Sequence, residues 1–189
     1  MANIRELSRL KPSTVMLRLL DEITFSDNAT VLDAPCGFGR NSIALAARGF
    51  AVMSVDKDCG RLDSLKRAVH ELRSSKQAHS RILPLCADLS NNRWPFLESS
   101  FSAVICVHYP VQEIIENLKA CLREGGYIYI ETFGGQGGNY LQLPKAGELR
   151  AALTGYDFLF YKERSVGPTT HNSVVVVALA QKRSAASTH

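Results

Sequence analysis

The sequence has no C-x-x-C pair, no clustered histidines and no Gly-Lys-Ser/Thr behind a glycine run. A zinc framework of ordinary spacing and a phosphate loop are therefore not indicated. The five cysteines, Cys36, Cys59, Cys86, Cys106 and Cys121, are odd in number and scattered. No disulfide framework is expected from them, and reduced thiols in a cytoplasmic protein are the simple reading. No apolar segment follows Met1-Ala-Asn-Ile-Arg-Glu6, and the longest apolar run, Val174 to Ala180, is far shorter than a membrane span. A soluble protein with no membrane partner and no metal is expected. Blocks of one charge are also missing: net charge is +4 and the pI about 8.9, with bases interleaved among acids. Arg5, Arg9 and Lys11, and Arg61, Lys66, Arg67, Arg73 and Lys76, read as solvated helix faces that permit nucleic acid without demanding it. No internal repeat is present.

What the sequence does have is alternation. Its 189 residues, 46% hydrophobic, suit one doubly wound core, with residues 1–183 as a single domain and 184–189 as a small, polar, frayed tail. Pro12 to Ile23 carries Val15, Met16, Leu19, Leu20 and Ile23 at helical spacing. It reads as the covering helix of an N-terminal segment, residues 1–24, with proline in an N1-like place. Strands follow at 30–34, 51–55, 80–85, 102–108 and 126–133, separated by helices at 40–48, 59–74 and 111–123. Such alternation predicts parallel strands with helices on both faces. After a short helix at 148–154, Tyr156–Glu163 and Ser173–Gln181 are two strands with no helix between them, so they pair as a hairpin. The second is almost wholly apolar and is expected inside the sheet, covered on both faces. The fold class is thus α/β, doubly wound, with a mostly parallel seven-stranded sheet and a C-terminal antiparallel hairpin.

The segment Thr30-Val-Leu-Asp-Ala-Pro-Cys-Gly-Phe-Gly-Arg-Asn-Ser42, followed by Val52-Met-Ser-Val-Asp56, is a buried strand, a glycine turn, a helix start and a second strand ending in an acid. That pattern makes a nucleoside-cofactor site, with Asp56 placed for two ribose hydroxyls and Lys57 beside it. A dinucleotide fingerprint asks for glycine where Ser42 stands. Asp33, at the end of the first strand, repels a pyrophosphate and welcomes a cationic ligand. S-adenosylmethionine, with its sulfonium and ammonium, is favoured over NAD.

Asp33-Ala-Pro-Cys-Gly-Phe-Gly39 resembles the first motif, Asp/Glu-x-Gly-x-Gly-x-Gly, of the Rossmann-like (class I) S-adenosylmethionine-dependent methyltransferases, and the later segments match in order from about residue 12 to 183. Pro35 replaces the first glycine. Gly39-Arg-Asn-Ser42 and the run from Gly147-Glu-Leu to Leu179-Ala-Gln-Lys182 are most similar to the small tellurite-resistance-type methyltransferases. The resemblance implies S-adenosyl-L-methionine as cofactor, with Asp33, Ala34, Cys36, Gly37, Gly39, Arg40 and Asn41 around its methionine part. It further implies Asp88 as acceptor for the adenine amino group, the Leu89 N–H on the ring, and Val107 at the end of the fourth strand near the methyl group. Ser102 stands where relatives often have aspartate.

Neither Asp/Asn-Pro-Pro-aromatic nor Pro-Cys-Gln occurs at the fourth strand, so the usual markers of nucleic-acid amino and cytosine-carbon methylation are absent. The same strand ends in His108, a candidate general base, and Tyr109, which is placed to pack on the sulfonium. Phe133-Gly-Gly-Gln-Gly-Gly-Asn-Tyr140 suggests a loop closing over substrate, with Tyr140, Glu131 and Gln136 as contacts. Arg164, Thr170, His171 and Asn172 join the same mouth from the hairpin. The expected activity is methyl transfer to an N, O or S nucleophile of a small-molecule acceptor. An RNA or protein acceptor, and a binding module that holds the cofactor without catalysis, are the alternatives. An NAD-dependent oxidoreductase is disfavoured by Ser42, Asp33 and the terminal hairpin.

Overall fold

The computed structural model describes residues 11–26, 28–74, 81–91, 93–134 and 139–184. The expectations for Arg5, Arg9, Lys76, Gln136, the glycines at 135, 137 and 138, and the tail from residue 185 lie outside the described residues. The chain divides into two compact units, residues 1–95 and 96–189.

In the first unit, helix α1 (Thr14–Asp21) buries Met16, Leu19 and Leu20. Its N-cap is Ser13, whose hydroxyl accepts the Met16 N–H at 3.1 Å. Pro12 therefore lies before the helix and not in its first turn, because a side-chain oxygen at the cap satisfies an orphan amide that proline cannot. Strands β1 (Thr30–Asp33), β2 (Ala51–Asp56) and β3 (Ile82–Cys86) are parallel and ordered β3-β2-β1. Helix α2 (Arg40–Ala46) follows β1 in sequence, and α3 (Cys59–Ser74) joins β2 to β3. The register sets Asp33 beside Ser54 and Asp56 beside Cys86. The carboxyl ends of all three strands therefore share one edge.

In the second unit, β4 (Phe101–Val107) runs parallel to β5 (Leu122–Glu131). Helix α4 (Ile115–Cys121) lies between them in sequence. After α5 (Glu148–Ala152), β6 (Tyr156–Val166) and β7 (Ser173–Lys182) pair antiparallel, and β7 is inserted between β5 and β6. The apolar run of β7 is the reason: Val174, Val176, Ala178, Leu179 and Ala180 are all buried, which an edge strand does not achieve. The fold class is α/β, a seven-stranded, mostly parallel sheet with helices around it and an antiparallel C-terminal hairpin.

Two elements begin four residues from where the sequence places them. The expected helix 111–123 is a 3-10 turn, Val111–Glu113, followed by α4, because Ile114 (φ −127°, ψ 2°) leaves the helical region. The strand expected to begin at Gly126 begins at Leu122, which pairs with Phe101, while Ala103 pairs with Tyr127. The intervening residues form a bulge in which Gly125 takes φ +70°. Gly125 and Gly126 thus lie inside a bulged strand. Among the described residues, no helix is long and apolar enough to cross a membrane.

Candidate functional site

The β1–α2 turn is the most constrained piece of backbone. The Ala34–Pro35 bond is cis, and Gly37 and Gly39 take φ of +58° and +76°, a region costly for residues bearing a Cβ. The two glycines are needed for different reasons. A Cβ on Gly39 would lie 2.5 Å from Leu65 Cδ1, so helix α3 packs directly on this backbone. A Cβ on Gly37 would meet nothing within 4 Å. Open space therefore lies over Gly37, where a ligand can approach the backbone. Cys36 is tied down from below, its N–H donating to the Val55 carbonyl at 2.7 Å. Burial pushes its thiol far above the ordinary range, so it is a neutral wall of the turn and not a nucleophile.

Asp33 is completely buried. Its Oδ2 accepts the Ser42 hydroxyl at 2.6 Å, and Ser42 in turn accepts the Ser54 hydroxyl at 2.7 Å. Its Oδ1 is buried and has no hydrogen-bond partner among the described residues. Burial, opposed by the Ser42 bonds, lifts the carboxyl pKa to about 7. Ser42, noted in the sequence only as a missing glycine, is thus the anchor of Asp33. The signal for Ser54 was a hydroxyl set in an otherwise apolar strand. Asn41 is also buried, and its Oδ1 accepts the Ser13 N–H at 3.0 Å, fastening the cap of α1 to the start of α2. Ala34 is buried and Arg40 half-buried.

At the end of β2, Asp56 is 5% exposed, and its carboxylate is held by two backbone amides. Oδ2 accepts from Gly37 N–H at 2.8 Å and Oδ1 from Asp58 N–H at 2.9 Å. Four acceptor lone pairs serve two bonds, so one remains on each oxygen for paired hydroxyls. Lys57 beside it is exposed. Asp88, just past β3, accepts both the N–H (3.0 Å) and the hydroxyl (2.7 Å) of Ser90 on Oδ1, and these bonds hold its pKa below the usual carboxylate value. It caps a turn. Leu89 is buried beside it.

One expectation is corrected. Cys59, at the start of α3, and Cys86, at the end of β3, form a disulfide with Cα atoms 5.4 Å apart, while Cys36, Cys106 and Cys121 are free and buried. The parallel register of β2 and β3 brings together two cysteines 27 residues apart, and composition alone carries no such information.

In the second unit, Val107 is buried at the end of β4, and His108 follows it with φ +58°. The His108 N–H donates to the Glu131 carbonyl at 2.7 Å, and its Nε2 lies 3.5 Å from Glu131 Oε1. The other carboxylate oxygen, Oε2, accepts the hydroxyl of buried Tyr129 at 2.6 Å. A left-handed non-glycine residue supported in this way is the kind of strain that functional sites retain. Tyr109 directs its hydroxyl to Glu113 at 3.3 Å. Tyr140 sits in the 3-10 turn Asn139–Gln142, its ring 5.2 Å from that of His171 and directly against Gly167. Arg164 is exposed on β6, opposite Val175.

This fold is that of the Rossmann-like S-adenosylmethionine-dependent methyltransferases, and S-adenosyl-L-methionine is the cofactor of the class. Residues 13–169 match the family described as tellurite resistance protein TehB, and the chain belongs to that family. Among solved structures, a methyltransferase of Methanosarcina mazei is 19% identical and covers 92% of this chain and 99% of its own, with a TM-score of 0.62. TehB of Haemophilus influenzae is 19% identical over 95% of this chain and 65% of its own, with a TM-score of 0.68. Geranyl diphosphate C-methyltransferase of Streptomyces coelicolor, solved with Mg2+, geranyl diphosphate and S-adenosyl-L-homocysteine, is 16% identical over 96% and 82%, with a TM-score of 0.68. No curated protein matches the sequence.

Proposed function

We propose that residues 1–183 act as one domain that transfers the methyl group of S-adenosylmethionine to an N, O or S nucleophile of a small-molecule acceptor. The observation that carries the cofactor half is the Asp56 carboxylate, oriented by the Gly37 and Asp58 amides beneath open space over Gly37. In this reading Asp56 receives the two ribose hydroxyls, Lys57 flanks them, and Asp88 and Leu89 take the adenine edge. Gly37, Gly39, Ala34, Cys36, Arg40 and Asn41 shape the turn around the methionine part, while the unpartnered Asp33 Oδ1 suits its ammonium, directly or through water. The bound cofactor supplies an activated methyl group, so the protein's work is alignment and exclusion of water.

His108 is the proposed base, oriented by Glu131, which Tyr129 steadies in turn. An amine acceptor can shed its proton after transfer, whereas a hydroxyl needs one removed. Val107 is proposed beside the cofactor's methyl group and Tyr109 against its sulfonium, with Tyr140, Glu131, Arg164 and His171 as the proposed surroundings of the acceptor. A small acceptor is supported by a neighbour named for geranyl diphosphate.

Methyl-labelled S-adenosylmethionine incubated with cell extract split into small-molecule and macromolecular fractions tests the proposal. Label should pass into the small-molecule fraction with matching release of S-adenosylhomocysteine. Label in precipitable RNA or protein, or no turnover with either fraction, contradicts it. With a hydroxyl acceptor, His108→Gln should lower kcat about 100-fold or more, with cofactor affinity unchanged by calorimetry. An unaltered kcat removes His108 from the chemistry.

A further inference from the structure

The Cys59–Cys86 disulfide closes a short ring around the proposed ribose acid. Starting from Asp56, the chain runs through Lys57 and Asp58 to Cys59, crosses the disulfide to Cys86, and reaches Ala87, whose N–H donates back to the Asp56 carbonyl at 3.1 Å. Asp58, whose amide holds Asp56 Oδ1 at 2.9 Å, is a member of this ring. Asp88 lies two residues beyond Cys86. The crosslink thus pins the first turn of α3 to the end of β3, and with it both the residue proposed for ribose and the one proposed for adenine. Both cysteines are exposed, so a thiol in solution can reach the bond, whereas Cys36, Cys106 and Cys121 are buried.

We propose that Cys59 and Cys86 are positioning residues of the adenosyl site, and that their dithiol–disulfide interconversion sets affinity for S-adenosylmethionine, the crosslinked form binding more tightly. This rests on the ribose reading of Asp56 given above. The ring supplies pre-organisation: once it is opened, the Asp58 amide and the Cys86–Asp88 segment must be ordered at the expense of binding. The co-reactant is a low-molecular-weight thiol of the glutathione class. Its thiolate attacks one sulfur, the protein S–S bond breaks and a mixed disulfide forms. A second thiolate then displaces the remaining protein sulfur. Two electrons pass from the external thiols, which leave as a disulfide, to the cystine, and Cys59 and Cys86 each take up a proton as thiols. By linkage, ligand binding stabilises the crosslink by the same factor that the crosslink stabilises binding.

The test is calorimetric titration of the full chain with S-adenosylhomocysteine, after equilibration in oxidised or in reduced glutathione buffer, on the wild type, Cys59→Ser, Cys86→Ser and Asp56→Ala. Alkylation under native conditions followed by mass measurement counts the thiols. Reduction should raise the dissociation constant roughly 5- to 10-fold, and both serine variants should sit at the reduced value in either buffer. Saturating S-adenosylhomocysteine should move the midpoint of the redox titration to more reducing potential, a tenfold affinity ratio corresponding to about 30 mV. A staple with no role at the site lowers melting temperature on reduction but leaves affinity unchanged and this ligand-induced shift at zero, which overturns the inference. Finding Cys59 and Cys86 alkylated after oxidation overturns it as well. Asp56→Ala separates the two readings. If that variant binds weakly while oxidised and reduced wild type bind alike, the crosslink inference alone fails; if it binds as tightly as wild type, the ribose reading fails beneath it.

Discussion

Asp33 shows how a residue's chemistry is set by what surrounds it. In the sequence it is an acid beside a glycine turn, and its charge argues for a cationic ligand. In the fold it has no exposed surface, a pKa near 7 and a serine relay on one oxygen. Because the folded-state value lies above the ordinary 3.8, folding favours the protonated form. The contribution is fully present below about pH 4 and is lost as pH rises through 7, by about 4 kcal/mol in order of magnitude. Asp33→Asn removes that dependence, so urea unfolding between pH 4 and 7 should show the variant gaining stability relative to wild type as pH rises. Parallel curves would mean that Asp33 is ionised in the native protein throughout. Asp88 makes a contrasting case, because its Ser90 bonds serve as a turn cap whatever else it does. In Asp88→Asn, affinity for S-adenosylhomocysteine should drop more than affinity for the analogue lacking the exocyclic amine, with both followed by calorimetry. Equal losses leave it a cap only.

At the scale of elements, the β1–α2 turn was legible because its glycines answer to steric rules that hold wherever a strand turns sharply into a helix. The pattern did not separate Gly37 from Gly39. Gly39→Ala places a Cβ 2.5 Å from Leu65 at φ +76°, and should destabilise the fold by about 2–4 kcal/mol from strain and overpacking together. Gly37→Ala meets no atom and should cost only about 1–2 kcal/mol while closing the space proposed for the ligand. Urea denaturation paired with a binding titration separates them; equal stability losses would contradict this division of roles. Hydrophobic periodicity could not locate the break at Ile114, a single residue's backbone angles, or the bulge before Tyr127, which belongs to the register of β4 against β5. The Asp33–Ser42–Ser54 relay and the Cys59–Cys86 bond were hidden for the same reason. Their partners meet across strands and turns, and a single sequence without the register does not say which residues face each other.

At the scale of the whole molecule, the sequence carried the fold class because alternating strands and helices leave few topologies, and the apolar Ser173–Lys182 strand asked to be covered on both faces. It also carried the cofactor, because Asp33 and Ser42 depart from a dinucleotide pattern in a direction with electrostatic meaning. The acceptor left no such mark: His108, Glu131, Tyr140 and His171 are ordinary residue types, and only the fold shows that His108 meets Glu131 and Tyr140 meets His171. The central claim is that Asp56, fixed by the Gly37 and Asp58 amides, grips the ribose of S-adenosylmethionine. Calorimetric titration of wild type and Asp56→Ala with S-adenosylhomocysteine under oxidising conditions, with NAD as control ligand, tests it most directly. The account expects a loss of about 1.5–3 kcal/mol in a variant that remains folded, and no saturable binding of NAD. Unchanged affinity in a folded Asp56→Ala, or tight binding of NAD by the wild type, would contradict it.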